Sequence, residues 1–186
     1  MKALRRFAVK DLLLIAAMAA LGIAIKPVVV PLAHLVSTPL LIPGGALAGG
    51  LYMMWLVMAA GLTGKRGAAT LAAVVQAILV LITGVVGSHG VMSLLSYSLP
   101  GLAIDGTLLL LRHRCCCRPC CFAAGIAANL TGTVITNLIF FRLPLIPLLL
   151  SLAVAALSGG LGGLLSWQLL KGLRRYGVLG ETPRLS

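Results

Sequence analysis

The sequence is poor in acid. Of its 186 residues only 3 are Asp or Glu, and charged residues of both signs make up 10%, against roughly a quarter in a soluble domain. So few charges cannot cover a globule in water, which excludes a soluble enzyme. Paired carboxylates for acid–base work are missing, and so is a nucleophile elbow. The segment Gly61-Leu62-Thr63-Gly64-Lys65-Arg66 only faintly resembles a phosphate loop, lacking the hydroxyl residue after the lysine and the correct first glycine. No clear internal repeat of the kind many secondary carriers use is visible. A chain with these gaps depends on a partner for energy.

What is abundant is hydrocarbon. Apolar residues make up 60% of the chain, which excludes disorder, since disordered chains stay unfolded through low hydrophobicity. A β-barrel would alternate in segments of ~10 residues, whereas runs such as Leu71 to Val86 are apolar without alternation. The expected fold is therefore an all-α membrane protein. A helix crosses about 30 Å of hydrocarbon with roughly 20 residues. The chain accommodates six such helices in one compact bundle spanning residues 1–186, at about 11–25, 44–63, 68–86, 91–111, 119–141 and 147–170. The basic start before Leu12 imitates a signal peptide, but the spans that follow make it an uncleaved first helix. Val28 to Ile42, interrupted by Pro31 and Pro39, is too apolar for a loop; it is expected to re-enter the membrane or lie at its interface. The fourth helix is expected to bend or break at Pro100-Gly101.

Charge sets the orientation. All of the 15 Lys and Arg except Lys26 and Arg142 fall on one side of such a bundle. The positive-inside rule places both termini in the cytoplasm. The net charge of +12 is a topology signal and implies no nucleic-acid partner.

Polar and aromatic residues in the outward halves of the helices make a candidate substrate pocket. Tyr52 and Trp55 lie one turn apart on the second helix, and Gln76 and Thr83 on the third. His89, Ser93, Ser96 and Tyr97 are on or before the fourth helix, and Asn129, Thr133 and Asn137 share one face of the fifth. Aromatic rings with a few fixed donors and acceptors suit a small ligand; interhelical hydrogen bonding is the alternative. Asp105 is the one acid well inside a span, where a carboxylate costs ~2.5–3.5 kcal/mol to insert, so it either meets a ligand or is satisfied internally. Its place seven residues before Arg112 sets it nearer the cytoplasmic end. Small residues every four positions let helices approach closely: Gly45/Gly49, Ala124/Ala128/Gly132, Gly159/Gly163, and Ala16, Ala20, Ala24 on the first helix. The last set serves internal packing or presents a stripe to another membrane protein. Cys115, Cys116, Cys117, Cys120 and Cys121 crowd one basic loop. They lack the second pair that a four-ligand metal site needs, and a reducing compartment disfavours disulfides. No metal, cofactor or catalytic residue is expected.

With its six spans, inward termini and alanine stripe, the chain resembles the substrate-binding S component of energy-coupling factor (ECF) vitamin transporters. The likeness is strongest to their YkoE-like thiamin/hydroxymethylpyrimidine branch. It is carried by Gly50-Leu51-Tyr52-Met53-Met54-Trp55, by Lys65-Arg66-Gly67-Ala68-Ala69 and by Pro100-Gly101-Leu102-Ala103-Ile104-Asp105, where that branch tends to carry glutamate at the Asp105 position. The resemblance implies a multi-pass protein of a prokaryotic inner or plasma membrane that hydrolyses nothing itself. It would bind a vitamin or vitamin precursor from outside and dock through Ala16, Ala20 and Ala24 on a transmembrane coupling (T) subunit. Two cytoplasmic ATPase subunits would drive uptake. The alternatives are a stand-alone secondary carrier or channel, and an intramembrane enzyme.

Overall fold

In the computed structural model, which describes residues 7–37, 43–84, 90–111 and 117–175, those residues form helices joined by short turns. The helices are α1 (Val9–Ala24), α2 (Lys26–Ser37), α3 (Gly44–Thr63), α4 (Ala68–Thr83), α5 (Ser93–Leu110), α6 (Arg118–Thr136) and α7 (Leu145–Arg175). A short 3-10 turn, Gly90–Met92, leads into α5, and a π turn, Asn137–Phe141, extends α6.

Glycine sets the ends of α3 and α4. Gly64 takes a left-handed φ of 59° and its N–H closes on the Ala60 carbonyl at 2.9 Å. Gly84 does the same to Val80, with φ 61°. A side chain would strain either position; this is why α4 stops at Thr83, short of the expected residue 86. The N-terminal turn of α1 is closed by Asp11, which accepts from the Ala8 N–H at 2.8 Å and pairs with Lys65 at 2.6 Å.

Of the expectations about proline, only the break is corrected: neither Pro31 nor Pro100 interrupts the helix that carries it. Lys26–Ser37 is a helix, bent by 41° from α1. Pro27 falls in its first turn, where the missing N–H costs nothing, and Pro31 removes only one further donor. Pro100 lies inside a continuous α5. Beside it Gly101 lets α5 close on α4: a Cβ there would meet the Ala73 side chain at 2.5 Å and the Ala69 carbonyl at 2.7 Å.

The long helix α3 is the axis of the bundle and packs against each of the other six. Most of it is buried, so its sequence is apolar on all sides. Glycine allows this closeness. A Cβ added at Gly50 would run into the Ser158 carbonyl of α7, and one at Gly125 of α6 into the Gly159 carbonyl. Ala124, Ala128, Gly159 and Gly163 are buried in these interfaces. The outer surface is the reverse, with Ile82, Leu110, Ile146 and Leu157 exposed, as hydrocarbon surroundings require. Among the described residues, four helices are long and apolar enough to cross a membrane: α3, α5, α6 continued to Phe141, and the 31-residue α7. The bent pair α1–α2 qualifies jointly, and α4, with 16 residues, is shorter. This is a multi-pass membrane protein.

Candidate functional site

A cavity of about 170 Å³ opens in the half of the bundle away from the Gly64–Gly67 turn. Its walls come from α2, the starts of α3, α5 and α7, and the far end of α6. On α2, Lys26, Val30 and His34 recur at intervals of four and share the face turned to the cavity. Val28, Leu32, Leu35 and Val36 cover the opposite, exposed face of that helix.

The centre of the site is Lys26. Its residue is only 5% exposed, and its ammonium donates to the Tyr97 hydroxyl at 2.6 Å. The same ammonium stands 3.8 Å from the Tyr97 ring centroid and 4.6 Å from that of Tyr52. Both rings therefore give their electron-rich faces to a cation of the chain itself. Tyr52 is held in place by donating to the Gly45 carbonyl at 2.9 Å.

Amides close the far wall. Asn129 donates through Nδ2 to the Ala46 carbonyl at 3.1 Å and the Ala155 carbonyl at 2.8 Å, tying α6 to both α3 and α7. The Asn137 side chain accepts from the Leu143 N–H at 2.9 Å, while its backbone carbonyl takes the N–H of Arg142, whose φ of 45° ends the π turn. Thr133 lies between them on the same wall. The Ser96 hydroxyl, also at the wall, is buried with no hydrogen-bond partner. Among the described residues, no carboxylate lines the cavity.

Six of the sequence-derived candidates thus meet at one place: Tyr52, Ser96, Tyr97, Asn129, Thr133 and Asn137. Others, Thr83 and Ser93 among them, do not. Trp55 and Gln76 lie off the cavity, near Gly22 of α1, and their Nε1 and Nε2 atoms are buried without partners. Asp105 is at the other end of the molecule. Its carboxylate accepts from the Gly67 N–H at 3.2 Å, the Thr70 N–H at 2.8 Å and the Thr70 hydroxyl at 2.6 Å, capping the N-terminus of α4. Helix dipole and free N–H groups make that a favourable seat for an anion. Of the two roles open to Asp105, these bonds are the internal one, and its carboxylate is not among the cavity-lining residues. His89 lies outside the described residues.

Sequence reasoning missed Lys26 and His34. The signal was present: a lysine followed at fours by valine and histidine, in an outward segment that holds no other charge. Reading that segment as proline-broken hid the helical face. The cysteine expectation is also corrected, since Cys117 and Cys120 are joined as a disulfide across the start of α6. Their Cα atoms, 5.4 Å apart, fall in the usual range for such a bond. Among the described residues no three His, Cys, Asp or Glu cluster as a metal site would need. Ala16, Ala20 and Ala24 are exposed along α1, while Ile15, Ala19 and Ile23 face the core.

The chain resembles known proteins at two levels. A family model described as "ABC-type cobalt transport system, permease component" matches residues 10–131. A solved structure, "Crystal structure of an S-component of ECF transporter", shares the fold with a TM-score of 0.76. It matches over 93% of this chain and 88% of its own, at 20% identity. No curated protein matches the chain in sequence.

Proposed function

Since the chain belongs to the family of ABC-type cobalt transport system permease components, we propose that it is the substrate-binding membrane subunit of an ECF-type importer. The observation that carries this reading is the cavity lined by Lys26, Tyr52, Tyr97, Asn129 and Asn137, in a sequence that carries no complete phosphate-loop motif. In the proposed topology both termini are cytoplasmic and the cavity faces outward, away from the basic turn at Lys65-Arg66. Six segments cross the membrane. The 16 residues of α4 reach about 24 Å, and its neighbours α1, α3 and α5 shelter it. Helix α2 lies at the outer interface, apolar side to lipid, and roofs the cavity.

The chain performs no chemistry; a transmembrane coupling subunit and two cytoplasmic ATPases supply the work. The exposed Ala16, Ala20, Ala24 stripe is the surface offered to the coupling subunit, since small side chains let two helices approach closely in lipid. The cargo is a small organic molecule, a vitamin or vitamin precursor. A bare cobalt ion suits this cavity poorly: divalent metals want several imidazole, thiolate or carboxylate ligands, and the lining offers one imidazole beside an ammonium. Thiamin and hydroxymethylpyrimidine are the first ligands to test. The uncharged pyrimidine ranks ahead, because the fixed positive charge of thiamin would face Lys26.

Co-expression with coupling and ATPase subunits tests the assignment. Uptake into vesicles should require all partners and ATP. Transport by the purified chain alone in liposomes would replace this reading with a stand-alone carrier, and turnover of the ligand would replace it with an enzyme.

A further inference from the structure

We infer that the cavity takes a ligand bearing an anionic oxygen group, a carboxylate or a phosphate, seated on the Lys26 ammonium. The inference rests on the substrate-binding reading above and names the class of its substrate, setting aside thiamin and free hydroxymethylpyrimidine, neither of which carries an anionic oxygen.

A buried ammonium is costly unless paired and hydrogen-bonded. Lys26 is buried, and its one hydrogen bond is to the Tyr97 hydroxyl, a neutral group. Three N–H donors are available to it, so two remain for a ligand. Among the described residues no acid is placed to serve as counter-charge: Asp11 is paired with Lys65, and Asp105 caps α4. An anionic group on a ligand supplies that charge.

The surroundings agree. The Lys26 ammonium already stands against the Tyr52 and Tyr97 rings, so a cationic ligand placed there would meet a like charge. Ser96, with an unpaired buried hydroxyl, and Thr133 line the same cavity and supply neutral donors that an oxyanion accepts. A charge-assisted hydrogen bond to Lys26 is the strong one among these.

The test uses the purified full chain in detergent and four probes that share one flat ring: benzoate, phenyl phosphate, benzamide and benzylammonium. Thermal unfolding is followed with each. The anions should raise the melting temperature more than benzamide, and benzylammonium should raise it least. Benzoate leading assigns a carboxylate and phenyl phosphate leading a phosphate ester; either supports the inference. Lys26→Met should weaken binding of the better anion about tenfold or more and bring it level with benzamide, while Lys26→Arg retains the preference. Benzylammonium equal to the anions, no shift with either anion, or a preference that survives Lys26→Met overturns the inference. Co-purification with coupling and ATPase subunits is scored separately. Assembly without anion preference removes only the charge assignment, and anion preference without assembly removes only the subunit reading.

Discussion

Asn129 joins three helices at a point where the candidate cavity and the bundle core meet, and this makes its removal measurable. Its Nδ2 spends both protons on carbonyls of neighbouring helices, Ala46 of α3 and Ala155 of α7. The residue is 2% exposed, so neither bond is replaced by bulk water. Interhelical bonds in membrane proteins are worth on average about 0.6 kcal/mol each, with a ceiling near 1.7. Two of them give about 1–2 kcal/mol. The side chain also fills the notch left by Gly49, where a Cβ would collide with its amide, and emptying that notch adds a cavity cost of about 1 kcal/mol. Asn129→Ala should therefore destabilise the protein by about 2–3 kcal/mol, read as an earlier midpoint when SDS is titrated into the micelles. Asn129→Asp sharpens the reasoning. It preserves volume but turns a carboxylate oxygen toward two carbonyl oxygens, exchanging attraction for repulsion. It should unfold earlier than Asn129→Ala despite the smaller change in shape. An Asp variant as stable as the native protein would refute the bridging role and leave only packing.

Asp105→Ala removes the acceptor for three donors at the start of α4 and should cost about 1–2 kcal/mol, as loss of a helix cap does; Asp105→Asn, keeping one oxygen, should cost less. Both should bind benzoate or phenyl phosphate as the native chain does, and a large loss of probe binding would return Asp105 to the ligand. Ala20→Trp should leave thermal stability unchanged, because Ala20 is exposed, yet abolish co-purification with the coupling subunit; normal assembly would show that the stripe faces only lipid. Asp11→Asn breaks the pair with Lys65, whose side chain is 38% exposed. Its effect should stay under about 1 kcal/mol and shrink further in high salt, both read by SDS titration.

The helices were legible because the sequence announces them twice. Gly44–Thr63 was expected at 44–63 and found there, since an apolar run ended by Gly64 leaves little choice. The glycine and alanine repeats of α6 and α7 were equally readable as close packing. Less readable was the hinge after α1. Pro31 and Pro39 suggested a broken segment, but proline forbids helix only where a donor is needed: Pro27 sits in the first turn of α2, and Pro31 costs one further bond. The lower end of α7 runs on past the expected Leu170 to Arg175, where Arg174 donates to the Gly61 carbonyl at 3.4 Å. Such a tertiary anchor has no local signature.

The site divides along the same line. Asn129 and Asn137 could be placed together because a spacing of four on one helix is a local property. Which of its two roles Asp105 takes was not legible because its partners, Gly67 and Thr70, lie outside its own helix, and only the packing of α5 on α4 brings them within reach. Burial of a carboxylate in a membrane protein demands a partner but does not say which. Lys26 presents the same problem with the opposite sign and a different solution. Counted as one of two outward charges, it looked like a residue that merely failed to follow the orientation bias. The bend between α1 and α2 turns it inward, toward Tyr52 and Tyr97, two residues beyond the exposed Ala24. Asp105 finds its counter-charge in the backbone of α4, whereas Lys26 finds only a phenol. The acid therefore caps α4, and the base is the group at which the proposed ligand's charge would decide binding.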